Sequence, residues 1–132
     1  MLVTNGTVEE KPLLEILPYI DAMNIDLKGF TESFYKKIGG DLETVKRTIT
    51  ISVKSCHVEI TTLVIPREND SEEEITQIAE WIASIDPEIP YHISRFFPQF
   101  RMTDRNATDV NLVYHLAEIA RKYLSYVYVG NC

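Results

Sequence analysis

The sequence predicts an α/β protein whose strands run parallel, and two observations carry that reading. Short segments with alternating apolar and polar residues take turns along the chain with segments whose apolar residues recur every three or four positions. Such alternation implies parallel strands joined by right-handed helical crossovers. The second observation is chemical: each expected strand after the first ends in polar or turn-forming residues, namely Asp26 and Lys28, Thr61 and Thr62, Arg95, and Gly130 with Asn131. In parallel α/β folds sites form at the C-terminal ends of strands, so these groups are expected to converge on one rim.

Taken in order, Leu2-Val3-Thr4 followed by Asn5-Gly6 reads as the tail of a strand entering a turn. Glu9 to Ile20 is a short helix carrying Leu13, Leu14, Ile16 and Leu17, with Pro12 in its first turn and Pro18 closing it. Ala22 to Phe30, AMNIDLKGF, is a strand: Met23, Ile25 and Leu27 share one face while Asn24, Asp26 and Lys28 share the other. Thr31 caps a helical turn that Gly39-Gly40 stops. Asp41 opens a helix with Leu42, Val45, Ile49 and Val53 at spacings of three and four, despite the β-branched run from Thr48 to Ile51.

His57 to Ile65 alternates as a strand, with Val58, Ile60, Thr62 and Val64 on one face and His57, Glu59, Thr61 and Leu63 on the other. Ser71 and Glu74 fit a capping box, and Glu72 to Glu74 suit the positive end of the helix whose buried stripe is Ile75, Ile78, Ala79, Ile82 and Ile85. Tyr91 to Phe97 is a strand running into Pro98, and Phe97 to Ala107 a polar loop. Thr108 caps a last helix burying Leu112, Leu116, Ile119, Ala120 and Tyr123, and Tyr126 to Val129 is the final strand.

At 132 residues, 45% apolar and 25% charged, the chain suits a single globular domain, 1–132. Its net charge of −7 opposes binding to nucleic acid or anionic membrane surfaces. The basic and aromatic interleaving from Arg95 to Arg105 could mean stacking on nucleic acid, which that charge opposes, or a surface loop anchored by Phe side chains. Cys56 and Cys132 are too few for a disulfide framework or a metal knuckle and are expected to be reduced thiols. With no apolar run of membrane-spanning length, the expectation is a cytoplasmic protein without membrane partners.

From the residues alone the chemistry of the Asp26–Lys28 pair stays open. Lys28 could serve as a Schiff-base or general-base lysine, as in barrel aldolases or isomerases. Alternatively Lys28 takes a carboxylate and Asp26 an ammonium or a ribose hydroxyl, or the pair is simply solvated. His57, His92 and His115 lie at strand starts or on a helix and read as structural. No glycine-rich phosphate loop and no His-Glu-x-x-His spacing occurs, which leaves nucleotide hydrolysis and zinc peptidase chemistry unsupported.

The segments VTNG (3–6), NIDLKGF (24–30), HVEITTLVIP (57–66), NDSEEEI (69–75), HISRF (92–96) and YVYVGN (126–131), in that order, resemble the second half of radical SAM enzymes. More narrowly they resemble the pyruvate formate-lyase activating enzyme group, including the radical SAM member of the AmmeMemoRadiSam system. The resemblance implies a (β/α)6 partial barrel of which this chain is the C-terminal half. It implies a 4Fe-4S cluster, held by C-x3-C-x2-C in the N-terminal half, that cleaves S-adenosylmethionine reductively to a radical. That radical would abstract hydrogen from a glycine of a partner, so a glycyl-radical enzyme or other protein substrate is the implied partner. Asp26 and Lys28 match the family's Asp-Leu-Lys strand end that contacts S-adenosylmethionine, and Asn5 and Thr62 are expected to join them as cofactor-binding residues.

The chain departs from the family pattern at several points. It has no C-x3-C-x2-C, so no catalytic or metal-binding residue is expected here and the chain alone is expected to be inactive. The family's glycine-rich segment for the methionine amine is missing, and Phe97 stands where relatives often carry His. Neither S-adenosylmethionine nor the cluster is expected to bind tightly. The reading is of a fragment starting inside the third barrel strand, with an exposed sheet edge prone to self-association. A degenerate binding or assembly module is the alternative, and a barrel aldolase using Lys28 a more distant one.

Overall fold

The computed structural model describes residues 2–4, 6, 10–96 and 108–131. Five strands, β1 (Leu2–Thr4), β2 (Ala22–Asp26), β3 (His57–Val64), β4 (Tyr91–Arg95) and β5 (Val127–Gly130), follow the sheet order β1-β2-β3-β4-β5. The registered pairs β1–β2, β2–β3 and β4–β5 are all parallel. The fold is the parallel α/β, partial-barrel type expected from the sequence. The chain divides into two compact units, Met1–Thr61 and Thr62–Cys132.

In the first unit, α1 (Glu10–Ile16) is shorter than the expected Glu9–Ile20 helix, because Leu17–Tyr19 tightens into a 3-10 turn around Pro18. Proline lacks the N–H an α-helix needs and disfavours helical backbone in the residue before it. Helix α2 (Glu32–Lys37) starts where Thr31 accepts a hydrogen bond from Phe34 N at 3.2 Å, and Gly39 follows its end at φ 81°. Helix α3 (Leu42–Val53) survives its β-branched run because Leu42, Val45 and Ile49 are buried on one stripe, which outweighs a weak propensity cost.

The remaining buried positions of α3 are Thr48 and Ser52 in place of the expected Val53. Thr48 Oγ1 donates to Gly6 O at 2.8 Å, tying the turn after β1 to the helix. Gly6 sits at φ 78° with Val45 so close that a Cβ would lie 2.9 Å from its Cγ1, so no other residue fits this turn without displacement. Met23, Ile25, Leu27, Val58 and Ile60 form the sheet's contribution to this core, each fully buried or nearly so. Each such side chain contributes about 1.5–3 kcal/mol relative to exposure.

In the second unit, α4 (Glu72–Ile85) begins with Ser71 accepting from Glu74 N at 3.1 Å, as the capping pattern requires. Its buried stripe is Glu74, Ile75, Ile78, Ala79 and Ile82, with Glu72 and Glu73 in solvent. Helix α5 (Val110–Ala120) corrects the sequence reading twice. Asp109 is its cap, accepting from Asn111 N at 2.9 Å, whereas Thr108 is fully buried. Both residue types cap helices well, so pattern alone could not choose between them.

The buried stripe of α5 is Val113, Leu116, Ala117 and Ala120, with Leu112, Ile119 and Tyr123 only half-buried. Two alanines hold that stripe, which lets the helix approach its neighbours more closely than the larger residues would. Strand β4 ends at Arg95 and β5 runs one residue past Val129, in place of the expected Tyr91–Phe97 and Tyr126–Val129. Phe97 and the rest of the 97–107 loop lie outside the described residues. Among the described residues no helix is long and apolar enough to cross a membrane.

Candidate functional site

Strand β2 sorts its residues by parity, as the sequence requires. Met23 and Ile25 are buried while Asn24 and Asp26 are half-exposed, and beyond the strand Leu27 is buried and Lys28 exposed. Two backbone bonds fix where the Lys28 side chain starts. Leu27 N donates to Thr61 O at 2.9 Å, and Lys28 N donates to the hydroxyl of buried Tyr35 at 2.8 Å. Gly29 then passes under the Phe34 ring, where an added Cβ would lie 2.7 Å from Cδ1.

On this framework Lys28 Nζ stands 3.7 Å from Asp26 Oδ2, with the two side chains 46% and 41% exposed. An ion pair this open contributes about 0–1 kcal/mol to stability, too little to account for a charged couple at a strand end. What the couple offers is an anion-accepting and a cation-accepting group side by side.

The neighbouring strand supplies more of this face. In the parallel register Asn24 lies beside Glu59 and Asp26 beside Thr61. Thr61 Oγ1 donates to Asn24 Oδ1 at 2.9 Å, and His57 Nε2 lies 3.0 Å from Glu59 Oε2. Thr62 turns to the other side of β3: it is fully buried and its hydroxyl accepts from Tyr91 Oη at 2.7 Å. The threonine that joins the polar row is therefore Thr61. Its parity with His57 and Glu59 was the available signal, since paired residues of parallel strands share a face. Asn5 lies outside the described residues.

Other candidates have structural occupations. His92 stacks on Tyr128 with ring centroids 5.2 Å apart, His115 pairs with Glu72, and Arg95 Nε donates to Thr108 O at 2.6 Å. Burial pushes the Cys56 thiol up, and its Sγ lies 3.5 Å from Ser52 O. No three metal-ligating side chains cluster among the described residues. A cubane cluster needs several thiolates close together, and two cysteines 56 and 132 do not fit one.

No family model matches the chain. It is 37% identical over 135 residues to an uncharacterized protein of Methanocaldococcus jannaschii, covering 99% of this chain and 40% of that protein. The chain thus spans well under half the length of this curated relative. Among solved structures it is similar to a domain of pyruvate-formate lyase-activating enzyme from Bacteroides vulgatus, with a TM-score of 0.79 and 19% identity over 98% of this chain and 80% of that one. At that identity the likeness establishes a shared fold and nothing beyond it.

Proposed function

We propose that these residues form the S-adenosylmethionine-facing part of a radical enzyme of the glycyl-radical activating type, in a longer protein that supplies the cluster from elsewhere. The observation that carries this reading is the Asp26–Lys28 couple, oppositely charged, half-exposed and held at a strand end by Tyr35. Its donor set suits a zwitterion: the Lys28 ammonium takes a carboxylate and the Asp26 carboxylate takes an ammonium or a hydroxyl. The likeness in fold to an activating-enzyme domain supports the same assignment. When bound, S-adenosylmethionine supplies the cleavable sulfonium; the residues described here bind and orient its polar groups.

The amine-nucleophile alternative is less well supported. Lys28 is half-exposed and ion-paired rather than enclosed in an apolar pocket, which is the setting an activated lysine needs.

Titration of the chain with S-adenosylmethionine, followed by NMR, tests the proposal. Shifts should centre on Asp26, Lys28 and Thr61, with a dissociation constant of about a millimolar, or about −4 kcal/mol. Asp26→Asn and Lys28→Met should each abolish them while the rest of the spectrum stays that of the folded protein. Saturable shifts elsewhere, with this strand end unmoved, would refute the assignment.

A further inference from the structure

Beside the charged couple, the structure holds an amide whose donors are unspent. Asn24 Oδ1 is taken by the Thr61 hydroxyl at 2.9 Å, whereas Asn24 Nδ2 bonds nothing among the described residues. Asn24 and Thr61 are both half-buried, and the Thr61 hydroxyl makes no other bond among the described residues. The contact therefore supports neither a cap nor a turn nor a sheet edge. In the pairing present here Thr61 holds the Oδ1 end of the Asn24 amide and leaves the Nδ2 donors without a partner among the described residues. A hydroxyl both donates and accepts, so it is this pairing, Oδ1 with the Thr61 hydroxyl, that presents a donor to a ligand.

The position of that donor sets the chemistry it would read. Asn24 and Asp26 share a face of β2 two residues apart, which places their origins about 6.6–6.8 Å from one another along the strand. We propose that Asn24 is a specificity-determining residue of this site and that Thr61 is its positioning residue. The ligand class is a small amino-acid zwitterion carrying a hydrogen-bond acceptor oxygen some 7 Å from its charged end. The charged end sits on Asp26 and Lys28, and the acceptor receives a hydrogen bond from Asn24 Nδ2. This rests on the reading of the Asp26–Lys28 couple as a zwitterion site, and adds to it a preference that the couple alone does not produce.

L-methionine and L-methionine sulfoxide differ by one acceptor oxygen, and they separate the two readings when titrated into the 15N-labelled chain. Both should shift the Lys28 region. The sulfoxide should bind about fivefold more tightly, as one net hydrogen bond allows, and it alone should shift the Asn24 side-chain amide resonances. Thr61→Val should level the two affinities without changing the urea midpoint, and Thr61→Ser should restore the preference. Equal affinities in the unmodified chain, or a preference that survives Thr61→Val, overturn the Asn24–Thr61 proposal and leave the zwitterion reading standing. If neither probe shifts the Lys28 region, both fall.

Discussion

The two units handle the polar residues in and beside their strands in opposite ways. In the first, Asn24, Asp26, Lys28 and Thr61 are partly exposed, and Lys28 pairs with Asp26 as Thr61 does with Asn24. In the second, Thr62, Thr108 and Asn69 are buried and bonded to the fold: Thr62 to Tyr91, Thr108 to Val64 O, and Asn69 to Ile65 N and Leu63 O. A polar residue in or beside these strands is thus either a structural bond that has been taken out of water or a group kept available to a ligand. Exposure and the identity of the partner tell the two apart, and residue type does not.

The contrast breaks first, if it breaks at all, at Thr108. Its hydroxyl donates to Val64 O at 2.5 Å and accepts from Phe96 N at 3.3 Å, both in buried surroundings. Thr108→Val keeps the shape and leaves both backbone groups without that partner, so urea unfolding should show a loss of about 2–3 kcal/mol. A loss below about 0.5 kcal/mol would mean that buried bonding in the second unit carries no such weight. Thr62→Val removes the buried 2.7 Å contact to Tyr91 and should cost about 1–2 kcal/mol by the same measurement.

How far the sequence revealed all this follows the same division. Periodicity located the five strands and the main helices, because burial of one face leaves a regular mark of two or of 3.6 residues. It also sorts Asn24, Asp26 and Lys28 onto one face. What it could not supply was pairing. The register that sets Asp26 beside Thr61 depends on how two strands more than thirty residues apart align, and nothing local encodes that alignment. Thr108 was misread as a helix cap for a related reason: the carbonyl it binds belongs to Val64, a distant residue. The partner of Lys28 N, the Tyr35 hydroxyl, is close in sequence, but the turn between β2 and α2 that brings it back leaves no periodic mark.

The smallest expected effects on stability fall where the largest effects on binding are expected, and Thr61 beside Thr62 provides the cleanest comparison. The two are consecutive, of one type and on one strand, so backbone propensity and position in the sheet cancel between them. Thr61→Val should change the unfolding free energy by no more than about 0.5 kcal/mol, because its hydroxyl bonds a half-exposed amide that water can satisfy. Asp26→Asn should be equally mild, since an open pair of this kind is worth about 0–1 kcal/mol and is screened by salt. Urea titrations of Thr61→Val and Thr62→Val run side by side give the ratio directly. If Thr61→Val proves as costly as Thr62→Val, the polar row of the first unit is holding the fold together, and its residues lose their claim to be waiting for a ligand.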